Sequence, residues 1–246
     1  MTDYKQRVRE GWHRTLEAIL ERARELGPRA VLAFDLDSTL FDNRPRQARI
    51  LREFGEAHGV EELTLCAASH FAESGWDLKA ALRNCGLSHE ETEQHYGEVK
   101  RFWSERFFTS PYCLDDVPID GGAEFLGRLL ETGATLAYVT GRHEAMREGS
   151  VGSMRRHGMP VPDGERVHLI MKPSFDVGDD AFKRDAHAKL HALGTVIAAF
   201  DNEPTHANDY RLKFPEAQVI HLATDHSGRP VELLEDIPSV PHFRFP

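Results

Sequence analysis

The chain has 246 residues, 40% of them hydrophobic and 28% charged, with a formal net charge of −10 from 30 Lys+Arg against 40 Asp+Glu. This length suits one large domain or one domain with an insert, and the composition excludes a collagen, a coiled coil or a disordered chain. The acidic balance argues against a general polynucleotide binder, which needs a positive field, but leaves room for a local basic pocket that holds a small anion.

Residues 3–26, rich in Arg, Glu and Leu, predict a helix that Gly27 and Pro28 stop. The continuous apolar run at 30–34 predicts a strand buried on both faces. The same grammar returns later in the chain: helices over about 121–132, 143–157, 180–193 and 204–212 alternate with apolar strands at 134–139, 167–171, 195–200 and 218–222. That alternation predicts an α/β fold with a Rossmann-like parallel sheet and helices on both faces. Residues 43–118 interrupt it with helical patterns only. Phe54, Trp76, Leu78, Leu82, Phe102, Trp103, Phe107 and Phe108 supply that stretch with apolar residues of its own. The expected organisation is therefore an α/β core of residues 1–42 and 119–246 and an inserted helical subdomain of residues 43–118. The Pro-rich tail after residue 228 is expected to wrap the surface.

Cys66, Cys85 and Cys113 are odd in number and lack CxxC spacing, so neither a disulfide framework nor a zinc knuckle is expected. A reduced, cytoplasmic setting is the simplest reading. The first residues are charged throughout and lack the apolar stretch of a signal peptide. No apolar run approaches the roughly 18–20 residues of a membrane span.

Three polar segments directly follow three predicted strands: Asp35-Leu36-Asp37-Ser38-Thr39, Thr140-Gly141-Arg142, and Asp201-Asn202-Glu203-Pro204. In open parallel sheets the C-terminal strand ends line the ligand crevice, so these segments should converge. A carboxylate such as Asp35 can attack phosphorus in line, and Asp37, two residues on, can serve as general acid and base. Two carboxylates beside a phosphate repel it, which calls for a hard, oxygen-loving cation such as Mg²⁺. The bland alternatives are a solvated turn at Asp35 and Asp37, a helix N-cap at Thr140 and a turn acid at Asp201. Arg142 could touch substrate or pair with a surface acid. Arg44, Arg46, Arg49 and Arg52 read as a solvated helix face in preference to a substrate-anion contact. His187 and His191 have helical i, i+4 spacing but no third metal ligand beside them.

The pattern resembles the haloacid dehalogenase-like superfamily. The D-x-D-x-T run resembles its first motif, Val139-Thr140-Gly141-Arg142 its second, and Phe200-Asp201-Asn202-Glu203-Pro204 its acidic fourth; the helical insert resembles the cap placed between the first and second motifs. The resemblance covers about Arg29 to Asp225. It implies a Mg²⁺-dependent hydrolase of small phosphorylated metabolites that works through an aspartyl-phosphate on Asp35. Asp37 would be the general acid and base, and its presence favours phosphate over carbon–halogen chemistry. The metal would be held by Asp35, the Asp37 carbonyl and Asp201, with Asn202 or Glu203 assisting through water because the usual second acid is missing. Thr140, Gly141 and Arg142 would face the phosphoryl group. A lysine is also implied, either Lys183 or Lys172. Rival readings are a phosphomutase, a phosphatase of nucleic-acid ends, and a non-catalytic binding protein on the same fold.

Overall fold

The structure is a computed structural model and describes residues 4–244. In chain order its elements are α1 (His13–Leu26), β1 (Ala30–Phe34), β2 (Phe41–Asp42), α2 (Arg44–His58), α3 (Glu61–Thr64), α4 (Leu78–Asn84), α5 (His89–Phe107), β3 (Val117–Pro118), α6 (Gly122–Glu131), β4 (Thr135–His143), α7 (Arg147–Arg156), β5 (Val167–Lys172), α8 (Asp179–Leu193), β6 (Thr195–Asp201), α9 (Pro204–Lys213), β7 (Gln218–Leu222) and β8 (Ser239–Val240). Two units result. The first runs through Phe41, resumes for Pro118–Glu144 and continues from Met154; the second comprises Asp42–Val117 and Ala145–Ser153.

The first unit is a six-stranded sheet in the order β5-β4-β1-β6-β7-β8, with every pairing parallel. Side chains alternate along a strand, so β1 feeds two cores. Ala30, Leu32 and Phe34 join Leu16, Ile19 and Leu20 of α1 and Phe125, Leu126 and Leu129 of α6. Val31 and Ala33 join Phe182, Ala186 and Leu190 of α8 and Ala207 and Tyr210 of α9. Burial on both faces is what the unbroken apolar run of β1 required.

Two expectations for this unit need correction. The first long helix begins only at His13; Tyr4–Arg7 forms a short 3₁₀ turn, and Gly11 takes a left-handed φ of 76° that breaks the helical path. Residue 3 of the predicted helix lies outside the described residues. The tail after residue 228 does more than wrap the surface. Leu233, Ile237, Val240 and Phe243 are buried, and β8 adds a sixth strand beside β7. Two strand residues in a Pro-rich stretch carry no periodic signal, so their pairing is set by the sheet edge they meet. Gly121, at φ 75°, lets the tail approach: a Cβ there would lie 2.6 Å from the Phe243 carbonyl carbon.

The second unit is helical. Ala48, Leu51 and Phe54 of α2 pack with Leu63, Phe71, Leu82 and Val99. Ser88 and Glu91 cap α5 reciprocally, and the Asp77 side chain accepts from the Ala80 N–H to cap α4. Ala145–Ser153, read from sequence as part of the core, belongs to this unit. Gly149 donates its N–H to Ser110 Oγ at 2.5 Å, and the Ser110 carbonyl lies where a Cβ on residue 149 would sit. Trp103 stacks on Phe107 with ring centroids 4.5 Å apart, whereas Trp76 is exposed and is not part of the core.

The expected solvated arginine face also needs correction. Arg46 is fully buried and grips both oxygens of buried Asp116, at 2.8 and 2.5 Å, while donating to the Phe107 carbonyl at 3.0 Å. Arg49 pairs with Glu53 and Asp115, and Arg44 with Asp42. Removing one member of a buried pair leaves the other charge desolvated, a loss of about 3–5 kcal/mol. Arg46→Met is therefore expected to lower unfolding stability by that amount in a urea titration, and Arg46→Met with Asp116→Leu is expected to recover most of it. A single substitution that costs less than the double would contradict this reading.

Cys66 and Cys85 form a disulfide, contrary to expectation, and Cys113 is buried as a free thiol. An odd cysteine count rules out full pairing and leaves a single pair possible; the helical packing brings these two Cα atoms to 5.6 Å. Among the described residues no helix is long and apolar enough to cross a membrane.

Candidate active site

Register places the first and third polar segments side by side. Phe34 pairs with Phe200, and the Asp35 N–H donates to the Phe200 carbonyl at 2.9 Å, so Asp35 emerges beside Asp201. Past Asp35 the chain folds over the Leu36 carbonyl, which accepts from the N–H groups of Thr39, Leu40 and Phe41 at 3.2, 2.9 and 2.8 Å. Ser38 sits at φ 58°, among the described residues the one non-glycine in the left-handed region. Such strain persists only where surrounding bonds fix it. Here the Ser38 N–H donates to the Phe41 carbonyl at 2.7 Å and the Thr224 hydroxyl donates to the Ser38 carbonyl.

Lys183 of α8 joins the two acids. Its Nζ lies 2.7 Å from Asp35 Oδ1 and 2.7 Å from Asp201 Oδ2, and all three residues are buried. Burial pushes the Asp35 carboxyl up to about 7 despite the pull of Lys183, and the negative charge of Asp201 adds to the rise. Burial also opposes ionisation of Asp201, but Lys183 and His206 outweigh it and hold Asp201 below the usual carboxylate range. For Lys183 burial works against the ammonium, and the carboxylates of Asp201 and Asp35 more than reverse it. Lys172, the other candidate, points elsewhere: its Nζ is 2.6 Å from Asp179 Oδ1.

The second segment follows from β4. Thr140 is fully buried, and its Oγ1 accepts from the Arg142 N–H at 3.2 Å, leaving the hydroxyl proton to donate. Gly141 permits a close approach, because a Cβ there would lie 2.8 Å from Asp179 Oδ2. Arg142, 1% exposed in its side chain, forks onto Asp37, with Nε to Oδ2 at 2.9 Å and Nη2 to Oδ1 at 2.7 Å. The candidate general acid is thus a partner of Arg142.

Asn202 is a strut. Its Oδ1 accepts from the Thr39 hydroxyl at 3.0 Å, its Nδ2 donates to the Asp225 carbonyl at 2.6 Å, and its own carbonyl is met by His221 Nε2 at 3.0 Å. Burial pushes His221 down to about 4, so it stays neutral and can hold this bond. Glu203 is likewise engaged, its two oxygens accepting from the N–H and hydroxyl of Ser227.

Sequence reasoning did not single out His206 for the site. It lies five residues after Asp201, near where the motif that this segment resembles has its second acid. Its Nδ1 is 3.6 Å from Asp201 Oδ1 and its Nε2 is 2.9 Å from Asp180 Oδ1. Burial and Lys183 both oppose a charge on His206, yet Asp201 and Asp180 raise its pKa on balance. The signal was the missing acid itself. His187, by contrast, packs on Tyr210 and Phe214 as a core residue.

No protein-family model and no curated protein matches the sequence. Solved structures are similar in fold. A candidate phosphatase from Clostridium difficile has 13% sequence identity and a TM-score of 0.52 over 88% of this chain and 95% of that one. A predicted phosphoglycolate phosphatase from Haemophilus somnus has 13% identity and a TM-score of 0.50 over 87% and 94% of the two chains. Protein Tyrosine Kinase A from Mycobacterium tuberculosis has 17% identity and a TM-score of 0.50 over 87% and 93%. At these identities the likeness establishes the fold alone, an α/β core on a parallel sheet with a helical insert. Proteins named as phosphatases and a protein named as a kinase share it, so the activity must be argued from the residues of the site.

Proposed function

We propose that the chain is a Mg²⁺-dependent phosphatase of small phosphate monoesters, with Asp35 as nucleophile and Asp37 as general acid and base. The observation that carries this reading is the Asp35–Lys183–Asp201 triad: two buried carboxylates on adjacent strands share one ammonium at 2.7 Å. With both acids ionised, one cation between two anions leaves negative charge uncompensated; burial chiefly raises the Asp35 pKa, and the charge of Asp201 adds to the rise. All the donors are hard oxygens, so the residues fit Mg²⁺. Asp35, the Asp37 carbonyl and Asp201 would hold it. When bound, the ion would offset the carboxylates and stabilise charge on the transferring phosphoryl oxygens.

The residues divide the work. An Asp35 oxygen forms a bond to phosphorus as the ester oxygen leaves, and Asp37 delivers a proton to that oxygen. Both Asp37 oxygens accept from Arg142, so proton delivery requires one of these bonds to open as substrate enters. Thr140, with its hydroxyl proton available, Gly141 through its backbone N–H, and Arg142 contact the phosphoryl oxygens. Asp37 then takes a proton from water, which attacks phosphorus and frees Asp35. Lys183 holds Asp35 in place throughout. Polynucleotides are poor candidates for an acidic chain, and a small phosphorylated metabolite is the substrate of this reading.

Phosphate release from a panel of sugar phosphates, nucleotides and an aryl phosphate tests the proposal. Turnover is expected with Mg²⁺, lost with chelator and restored when Mg²⁺ is returned. Turnover indifferent to chelator would remove the metal from the reading. Absence of turnover on every ester, with Mg²⁺ bound, would favour a mutase or a binding protein.

A further inference from the structure

We propose that Cys66, His70 and Cys85 form a second metal site, for a zinc-class divalent cation, when the two cysteines are reduced. These residues belong to the helical unit and share none with the candidate active site. One donor atom from each lies within 4.8 Å of the others, the Cys66 sulfur in the interior and His70 and Cys85 half-buried. Two metal–sulfur bonds of about 2.3 Å at a tetrahedral angle place the sulfurs about 3.8 Å apart. Cα atoms 5.6 Å apart accommodate that spacing by rotation of the side chains alone.

A disulfide needs only its two cysteines; the imidazole beside it is what points to a metal. His70 follows Cys66 by four residues. It is tied to the neighbourhood of Cys85 by Asn84, whose Nδ2 donates to the His70 carbonyl at 2.9 Å and to Glu73 Oε2 at 2.7 Å. On the other side Arg52 Nη1 donates to the Cys66 carbonyl at 2.7 Å. These bonds anchor the Cys66 and His70 backbones to α2 and α4 independently of the S–S bond, so the site is expected to survive reduction. The ring nitrogen Nδ1 accepts from the Ala67 N–H at 2.9 Å, so it carries a lone pair, which a metal would take in place of that N–H. Two thiolates and an imidazole are the donor set of zinc-class ions, whereas Mg²⁺ prefers oxygen. Three protein ligands leave the fourth position to water. On binding, both thiols release their protons to solvent, so affinity rises with pH.

The test uses the full chain and Co²⁺ as the probe. The disulfide is first reduced by a phosphine: the S–S bond gains two electrons and two protons, and the phosphine takes the oxygen of water. The reagent is then removed without air, and thiols are titrated before metal is added. One thiolate-bound Co²⁺ per chain is expected, read from an intense near-ultraviolet sulfur-to-cobalt band that Zn²⁺ displaces. Co²⁺ held by carboxylates at the candidate active site gives no such band, so the readout reports thiolate ligation alone. The band is expected to vanish in Cys66→Ser and Cys85→Ser, to weaken at least tenfold in apparent affinity in His70→Ala, and to persist in Cys113→Ser. The oxidised wild-type chain is a control that needs no substitution, and it should lack the band. Absence of the band in reduced, folded protein, loss of the fold on reduction, or His70→Ala binding as wild type would each overturn the site.

Discussion

Asp35→Asn is expected to lower phosphate release by at least about 10⁴-fold, because an amide oxygen cannot replace the carboxylate that forms the covalent intermediate. The variant should fold. Asn keeps the shape of Asp and can still accept from Lys183, and Lys183 keeps its bond to Asp201 at 2.7 Å. Its stability tells as much as its rate. The wild-type Asp35 carboxyl is raised to about 7, chiefly by burial. A group whose folded pKa is raised loses stability as pH climbs from the unfolded carboxylate range through the folded value. Above about pH 7 the ionised Asp35 therefore burdens the metal-free fold, and the neutral Asn should leave the chelated protein as stable as wild type or more so. Mg²⁺ should raise the melting temperature of the wild type more than that of Asp35→Asn. Phosphate assays and melting curves with and without chelator check both arms. Retained turnover would remove Asp35 as nucleophile, and a destabilised chelated variant would contradict the charge argument.

Much of this site was legible in the sequence because parallel sheets gather strand ends. The apolar runs at Ala30–Phe34 and Thr195–Phe200 announced strands buried on both faces, and the polar residues that follow them had to emerge at one edge of the sheet. What remained hidden was long-range register. Lys172 and Lys183 are both plausible in sequence. Only the adjacency of β1 and β6, with α8 packed on them, determines that the Lys183 ammonium meets Asp35 while Lys172 meets Asp179. The Arg142 fork on Asp37 was hidden for the same reason, since it joins residues 105 positions apart. Burial was misread at Arg46, whose charge suggested solvent although Asp116, 70 residues on, neutralises it in the interior. The Cys66–Cys85 pair and β8 were lost because a composition argument, about odd cysteines in one case and prolines in the other, says nothing of which segments the fold brings together.

Lys183→Met is the second substitution with a large expected effect, and it separates the two lysines by stability alone. Without the ammonium, Asp35 and Asp201 face each other in the interior with their shared cation gone. Removing one partner of a buried ionic cluster costs about 3–5 kcal/mol. Lowering the pH should restore part of this loss, because protonating Asp35 removes one of the two like charges. Mg²⁺ should restore part of it at neutral pH, since a ligand at about 100 times its Kd stabilises by about 2.7 kcal/mol. Lys172→Met is the matched control. Its partner Asp179 has a side chain 53% exposed, so the pair is largely screened by water, and its loss should cost no more than about 1 kcal/mol. Urea unfolding of both variants, in chelator and in Mg²⁺, measures the contrast. Equal stability of the two variants would mean that Lys183 does not neutralise the carboxylate pair, and the triad would no longer support a metal site. A large gap in chelator that narrows in Mg²⁺ would mean that one cation can stand in for another between the same two acids, as the proposed chemistry requires.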